Sequence, residues 1–185
     1  VPVIVIDSGL KTEDYISFVA TDNIEGGRLG ARRLGEVLGG KGKVILLRYA
    51  EGSASTMNRE EGFLEEMAAS YPEIELISTN QYAGVTKETA IGASQNLLNK
   101  YPEVNGVFCA NESSTFGMMR ALETAGKSGT VTLVGFDTSE ALLDGMAKGH
   151  IAGLVSQDPF DIGYLGVKNA IAAINGEAVE KRIAT

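Results

Sequence analysis

The chain holds one cysteine and one histidine. A disulfide framework within the chain is therefore impossible, and a Cys/His zinc site has no ligand cluster to draw on. No apolar run approaches the roughly 18 residues of a membrane-spanning helix. Basic charge is also scarce. Sixteen Lys and Arg against 24 Asp and Glu give a formal net charge of −8 and a pI near 4.7, the wrong sign for a nucleic-acid surface on this portion. The first residue is not methionine, and no signal-peptide pattern opens the chain. What is present is ordinary. The 185 residues are 44% hydrophobic and 22% charged, enough for a real core in one domain or two small ones.

Short apolar runs alternate with amphipathic stretches. Strands are expected at residues 3–6, 16–20, 43–47, 73–78, 104–109, 131–136 and 151–155. Helices are expected at 25–38, 55–71, 86–100, 113–125, 140–148 and 162–175, several closed by glycine (Gly39, Gly126, Gly176). Continuous apolar strands separated by helices predict an α/β fold, a doubly wound parallel sheet covered on both faces. Tyr71-Pro72-Glu73 and Tyr101-Pro102-Glu103 lie 30 residues apart, each between a helix and a strand, which is the length of one βα unit. The opening VPVIVID reads as a buried strand, and a buried strand needs neighbours; the chain is expected to start inside a larger sheet.

Ligands of open α/β sheets bind outside the carboxyl ends of the strands. The polar residues expected there are Asp7, Asp22, Asn23, Arg48, Asn80, Gln81, Asn111, Asp137 and Gln157, with Arg59 near the start of the helix over the same edge. Carboxylates, amides and a guanidinium make paired hydrogen bonds to neighbouring hydroxyls. Taken singly, an Asp or Asn after a strand is more often a helix cap or an Asx turn; jointly, they converge on one sheet edge. The set contains no nucleophile with a base and no metal-ligand cluster, and no cofactor is called for.

Several superficial motifs carry nothing. Residues 121–128 read AxxxxGKS, but the first glycine of a phosphate loop is missing and the segment closes a helix. GxSxG is absent, and residues 39–42 are a helix stop rather than a GxGxxG turn. His150 reads as a loop residue and Cys109, inside VFCA, as a buried small side chain.

The order VPVIVIDS, TDNIEGGRLGARRL, RxxGF at Arg59, GVFCANE, VGFDTSE and GLVSQDPFDIG resembles the type I periplasmic sugar-binding proteins, similar to the ribose-binding receptors, across essentially the whole chain. LacI-type repressors share this fold in their sugar-sensing domains. The resemblance implies the periplasmic binding protein type I architecture, here one complete lobe plus part of a second. Residues 22–157 would be the C-terminal α/β lobe, and 1–21 with 158–185 a remnant of the N-terminal lobe. It implies that Asp7, Arg59, Asn111, Asp137 and Gln157 hydrogen-bond sugar hydroxyls. Ser8 stands where many relatives carry an arginine ligand. Val85 falls where some relatives place a stacking aromatic, with Tyr82 nearby.

The function so implied is the solute-binding component of a sugar ABC transporter. It would act outside the cytoplasmic membrane, in the periplasm or anchored to the cell surface. It would hold a monosaccharide between two lobes by hinge closure and present the closed form to the transporter permease, without enzymatic activity. The alternative is the effector domain of a LacI-type repressor. The apolar residues 3–6 and 16–20 are expected to be covered by self-association or by an N-terminal segment beyond this sequence.

Overall fold

The computed structural model describes residues 1–185. In chain order the elements are β1 (Ile4–Ile6), β2 (Ser17–Ala20), α1 (Asn23–Val37), β3 (Lys41–Arg48), α2 (Ala54–Ser70), β4 (Glu73–Tyr82), α3 (Lys87–Lys100), β5 (Gly106–Cys109), α4 (Glu112–Thr124), β6 (Thr132–Phe136), α5 (Glu140–Ala147), β7 (Gly153–Val155), α6 (Pro159–Ile174) and β8 (Arg182–Ala184). The chain divides into two compact units, Ile24–Ser156 and Val1–Asn23 with Gln157–Thr185.

The larger unit is a five-stranded sheet in the order β4-β3-β5-β6-β7, every pairing parallel. Its strands are apolar at consecutive positions because alternate side chains serve opposite faces. Val44, Leu46, Phe108, Val134 and Phe136 pack with Ala31 and Leu34 of α1 and Phe63 and Met67 of α2. Ile45, Leu47, Val107, Cys109 and Leu133 pack with α3, α4 and α5. Two separate cores on one sheet are the physical content of a doubly wound fold. On the first face the helices approach backbone to backbone. A Cβ on Gly27 would lie 2.0 Å from the Arg59 carbonyl oxygen, and one on Gly62 would lie 2.0 Å from that of Ile24. Only glycine permits this contact, and it fixes α2, with Arg59, against α1.

The smaller unit pairs β1, β2 and β8 in that order, again all parallel. One helix, α6, covers one face, where Asn169 Nδ2 donates to Ser17 Oγ at 2.9 Å. Val5, Phe18 and Ala20 gather with Tyr15 in a small cluster.

In this chain β1 lies at a sheet edge beside β2, and Val3 and Ile6 are 44% and 48% exposed. Three sequence expectations need correction. A strand follows α6 that periodicity does not signal, since three residues reading Arg-Ile-Ala become a strand only through pairing with β2. Strand β4 runs on to Tyr82, helped by register slips opposite Val44, Ile45 and Leu47, so Asn80 and Gln81 lie within it rather than beyond it. Asp22, Asn23 and Gln157 cluster with the smaller unit, where Thr21 Oγ1 donates to Gln157 Oε1 at 3.0 Å and Asn23 Nδ2 to the Thr21 carbonyl at 3.0 Å.

Candidate functional site

In the larger unit, three of the sequence candidates meet at the carboxyl ends of β5 and β6. Arg59, on the second turn of α2, is 3% exposed. Its Nη1 donates to the carbonyl of Ala110, just past β5, at 3.0 Å. Its guanidinium lies 3.8 Å from the centroid of the Phe136 ring at the end of β6, a cation–π geometry that also fixes the plane of the fork. Phe136 is itself packed under Gly26 of α1. The residues following Ala110 and Phe136 are Asn111 and Asp137, so one arginine touches the two positions that precede the other candidates.

Asn111 caps α4. Its Oδ1 accepts from Ser114 N at 3.3 Å and Ser114 Oγ at 2.6 Å, the Ser114 hydroxyl meets the Asn111 N–H in return, and Asn111 Nδ2 donates to Ser113 Oγ at 3.1 Å. Asp137 reaches the same helix start, where its Oδ2 accepts from Glu112 N at 2.9 Å. A carboxylate there also meets the positive end of the helix dipole. The Lys87 ammonium, 2.9 Å from Glu112 Oε1, holds the Glu112 carboxyl below the usual range. Thr115 joins the strand ends to the helix by donating from Oγ1 to the Asn111 carbonyl at 2.7 Å and accepting from Phe136 N at 3.2 Å.

Asp137 has φ of 72°, and Asp7 in the smaller unit has φ of 67°; they are the only non-glycine residues in the left-handed region. Each sits one residue past a strand, β6 or β1, and donates its N–H to the adjacent strand at 2.9 Å, Asp137 to Val155 and Asp7 to Val19. Such conformations are uncommon for residues with a side chain and concentrate at ligand clamps. Ser8 N donates to the Ile6 carbonyl at 2.8 Å, tightening the turn after Asp7. Gln157 is held by Thr21, which follows β2, the neighbour of β1. Asp7, Ser8 and Gln157 thus form a second polar group at the strand ends of the smaller unit.

The other candidates go elsewhere. Arg48 is tied through Nε to Glu60 Oε2 at 2.6 Å, and Gln81 Nε2 donates to Asn80 Oδ1 at 2.9 Å on the exposed end of β4. Val85 is 65% exposed in the turn before α3. His150, just before β7, has its Nδ1 3.0 Å from Glu123 Oε1, at the amino ends of the strands rather than the carboxyl ends. Cys109 is buried, and burial pushes its thiol pKa well up. Sequence reasoning missed two features: the Phe136 platform beneath Arg59, and the fully buried Glu60. The available signals were an aromatic directly before a strand-end aspartate and an acid facing a basic strand end. No group of three or more His, Cys, Asp or Glu could hold a metal ion, and no helix is long and apolar enough to cross a membrane.

This arrangement has close counterparts. The ribose import binding protein of Escherichia coli is 32% identical over 182 residues, 98% of this chain and 60% of that protein. A carbohydrate transporter solute binding protein of Agrobacterium radiobacter, solved in complex with D-arabinose, superposes with a TM-score of 0.95 at 34% identity, covering 100% of this chain and 64% of that one. The periplasmic component of an ABC-type sugar transport system from Hahella chejuensis gives 0.94 at 36% identity, covering 100% and 67%. The chain therefore spans about three fifths of the length of the curated relatives it matches. Its parallel sheets and strand-end polar groups coincide with a match of residues 1–178 to the model of the periplasmic binding protein domain, and the chain belongs to that family.

Proposed function

We propose that this chain binds a monosaccharide as the solute-binding component of a sugar ABC transporter, outside the cytoplasmic membrane. The observation that carries the reading is the convergence of Arg59, Asn111 and Asp137 on the ends of β5 and β6. A guanidinium, an amide and a carboxylate on one edge match the alternating donors and acceptors of vicinal hydroxyls. Each charge-assisted bond contributes on the order of 1.5–3 kcal/mol net. Asp7, Ser8 and Gln157 supply a second set from the smaller unit. A sugar that bonds to both sets favours the arrangement of units that satisfies both, which is the population-shift basis of hinge closure. A permease then reads that state. The relatives named for ribose and crystallised with D-arabinose support a pentose as ligand.

The test is calorimetric and NMR titration of the chain with a panel of pentoses and hexoses, beside Arg59→Lys. Saturable binding of at least one sugar, weakened about tenfold or more in Arg59→Lys by loss of a charge-assisted contact, is expected. An NMR spectrum unmoved by every sugar in the panel would sink the reading.

A further inference from the structure

Glu60 is adjacent in sequence to Arg59 and fully buried. Both of its carboxylate oxygens are engaged: Oε2 accepts from Arg48 Nε at 2.6 Å, and Oε1 from Tyr49 N at 3.1 Å. Arg48 and Tyr49 stand where β3 gives way to the loop that leads into α2. They also carry the next loop. The Arg48 carbonyl accepts from Ala83 N at 2.7 Å, and the Tyr49 carbonyl from Gly84 N at 3.1 Å. The Arg48 guanidinium lies 5.2 Å from the centroid of the Tyr82 ring. One carboxylate on α2 thus anchors the β3–α2 connection directly and the β4–α3 connection through it.

Neighbouring residues on a helix point about 100° apart, given 3.6 residues per turn. Glu60 therefore clamps α2 toward β3 and β4, while Arg59 clamps it toward the ends of β5 and β6. Glu60 is fully buried while the Arg48 side chain is 24% exposed, and a pair taken this far out of water is a poor device for stability, because apolar side chains of like volume commonly do as well. Its better attested use is to fix one geometry among several. That use has an object here, since the next side chain is the guanidinium whose placement the site depends on.

We propose that Glu60 is a positioning residue for sugar binding, holding α2 and two flanking loops so that Arg59 lies in its binding geometry. The inference rests on the sugar-binding reading and adds to it a residue that need not touch the ligand.

The experiment compares the parent chain with Glu60→Gln, which keeps shape but presents an amide to Arg48, and with the apolar pair Arg48→Met/Glu60→Leu. Melting temperature, sugar affinity and amide hydrogen exchange of Tyr49, Ala83 and Gly84 are measured on all three. The paired variant is expected to stay folded, to melt several degrees lower because the Tyr49 N–H loses its acceptor, to bind about tenfold more weakly and to exchange those amides faster. Parent affinity and parent-like exchange in a folded paired variant would overturn the proposal. If the paired variant does not fold, Glu60→Gln decides by the same two readouts. If the parent binds no sugar, the functional reading falls, while unchanged exchange at the three amides would independently remove the positioning role.

Discussion

Replacing Asp137 by Gly, Ala and Asn separates what its backbone costs from what its carboxylate contributes. The residue sits at φ 72°, a conformation costing a side-chain-bearing residue about 1–2 kcal/mol, with Asn the most tolerant. Against that cost stands the bond from Glu112 N to Oδ2 at 2.9 Å, at the start of α4; deleting a cap of this kind to alanine typically costs about 1 kcal/mol. Ala loses the bond and keeps the strain, so it falls about 1 kcal/mol below the parent. Gly loses the bond and the strain together and should lie about 1 kcal/mol above Ala, or roughly 2–4 °C in melting temperature for a chain of this size. Asn keeps an acceptor and tolerates the backbone, so it should stay within about 1 kcal/mol of the parent. Urea unfolding at constant m reads the order, and sugar titration reads the carboxylate separately: Gly and Ala should lose binding equally despite different stabilities. Ala as stable as Gly would show that φ 72° carries no strain, and full sugar affinity in Gly would remove the carboxylate from the site.

Two further outcomes follow from the same geometry. Gly62→Ala drives a Cβ to 2.0 Å from the Ile24 carbonyl oxygen, which only backbone movement relieves; a loss of about 1–3 kcal/mol is expected, together with weakened sugar binding as α2 carries Arg59 outward, and a parent-like melting temperature would contradict the α1–α2 contact. Acid should destabilise the fold through glutamates whose pKa values are lowered from 4.5, Glu66 by its bond to Arg32, Glu112 by its bond to Lys87, and Glu88 and Glu103 by their own backbone N–H groups. Because the folded values lie below the unfolded ones, the stability these groups contribute is complete above the ordinary glutamate value and lost as pH falls through the folded values. Melting temperature should be level at neutral pH and decline in acid, less steeply in high salt for these surface groups; a profile without that decline would remove them as contributors.

The sheet of the larger unit was legible because burial on both faces leaves consecutive apolar residues, as in residues 44–47, that no amphipathic helix would show. The terminal strand Arg182–Ala184 was not, because its identity lies in pairing to Phe18, Val19 and Ala20 rather than in its own three residues. The extent of β4 was hidden for a related reason: register slips against β3 carry it through Asn80 and Gln81, residues that read as loop formers. At the site, Arg59 was found from its motif, but the groups that hold it came from other segments. Phe136 is 77 positions away in sequence and Ala110 is 51 away. Such placement depends on the order β5-β6 in the sheet, which no local pattern specifies.

The sequence sets two roles against each other at Asn111 and Asp137, helix cap or ligand contact, and the proposed function requires the two to be compatible. Both residues hold the start of α4, one from within its own loop and one from the neighbouring strand. A side chain that caps a helix has its rotamer fixed by that bond. Pre-organised polar groups bind without a further ordering cost. Under the proposed function, capping pre-orients these two side chains toward sugar hydroxyls. The same logic runs through Arg59, whose bond to the Ala110 carbonyl and contact with the Phe136 ring fix it against the residues that precede Asn111 and Asp137.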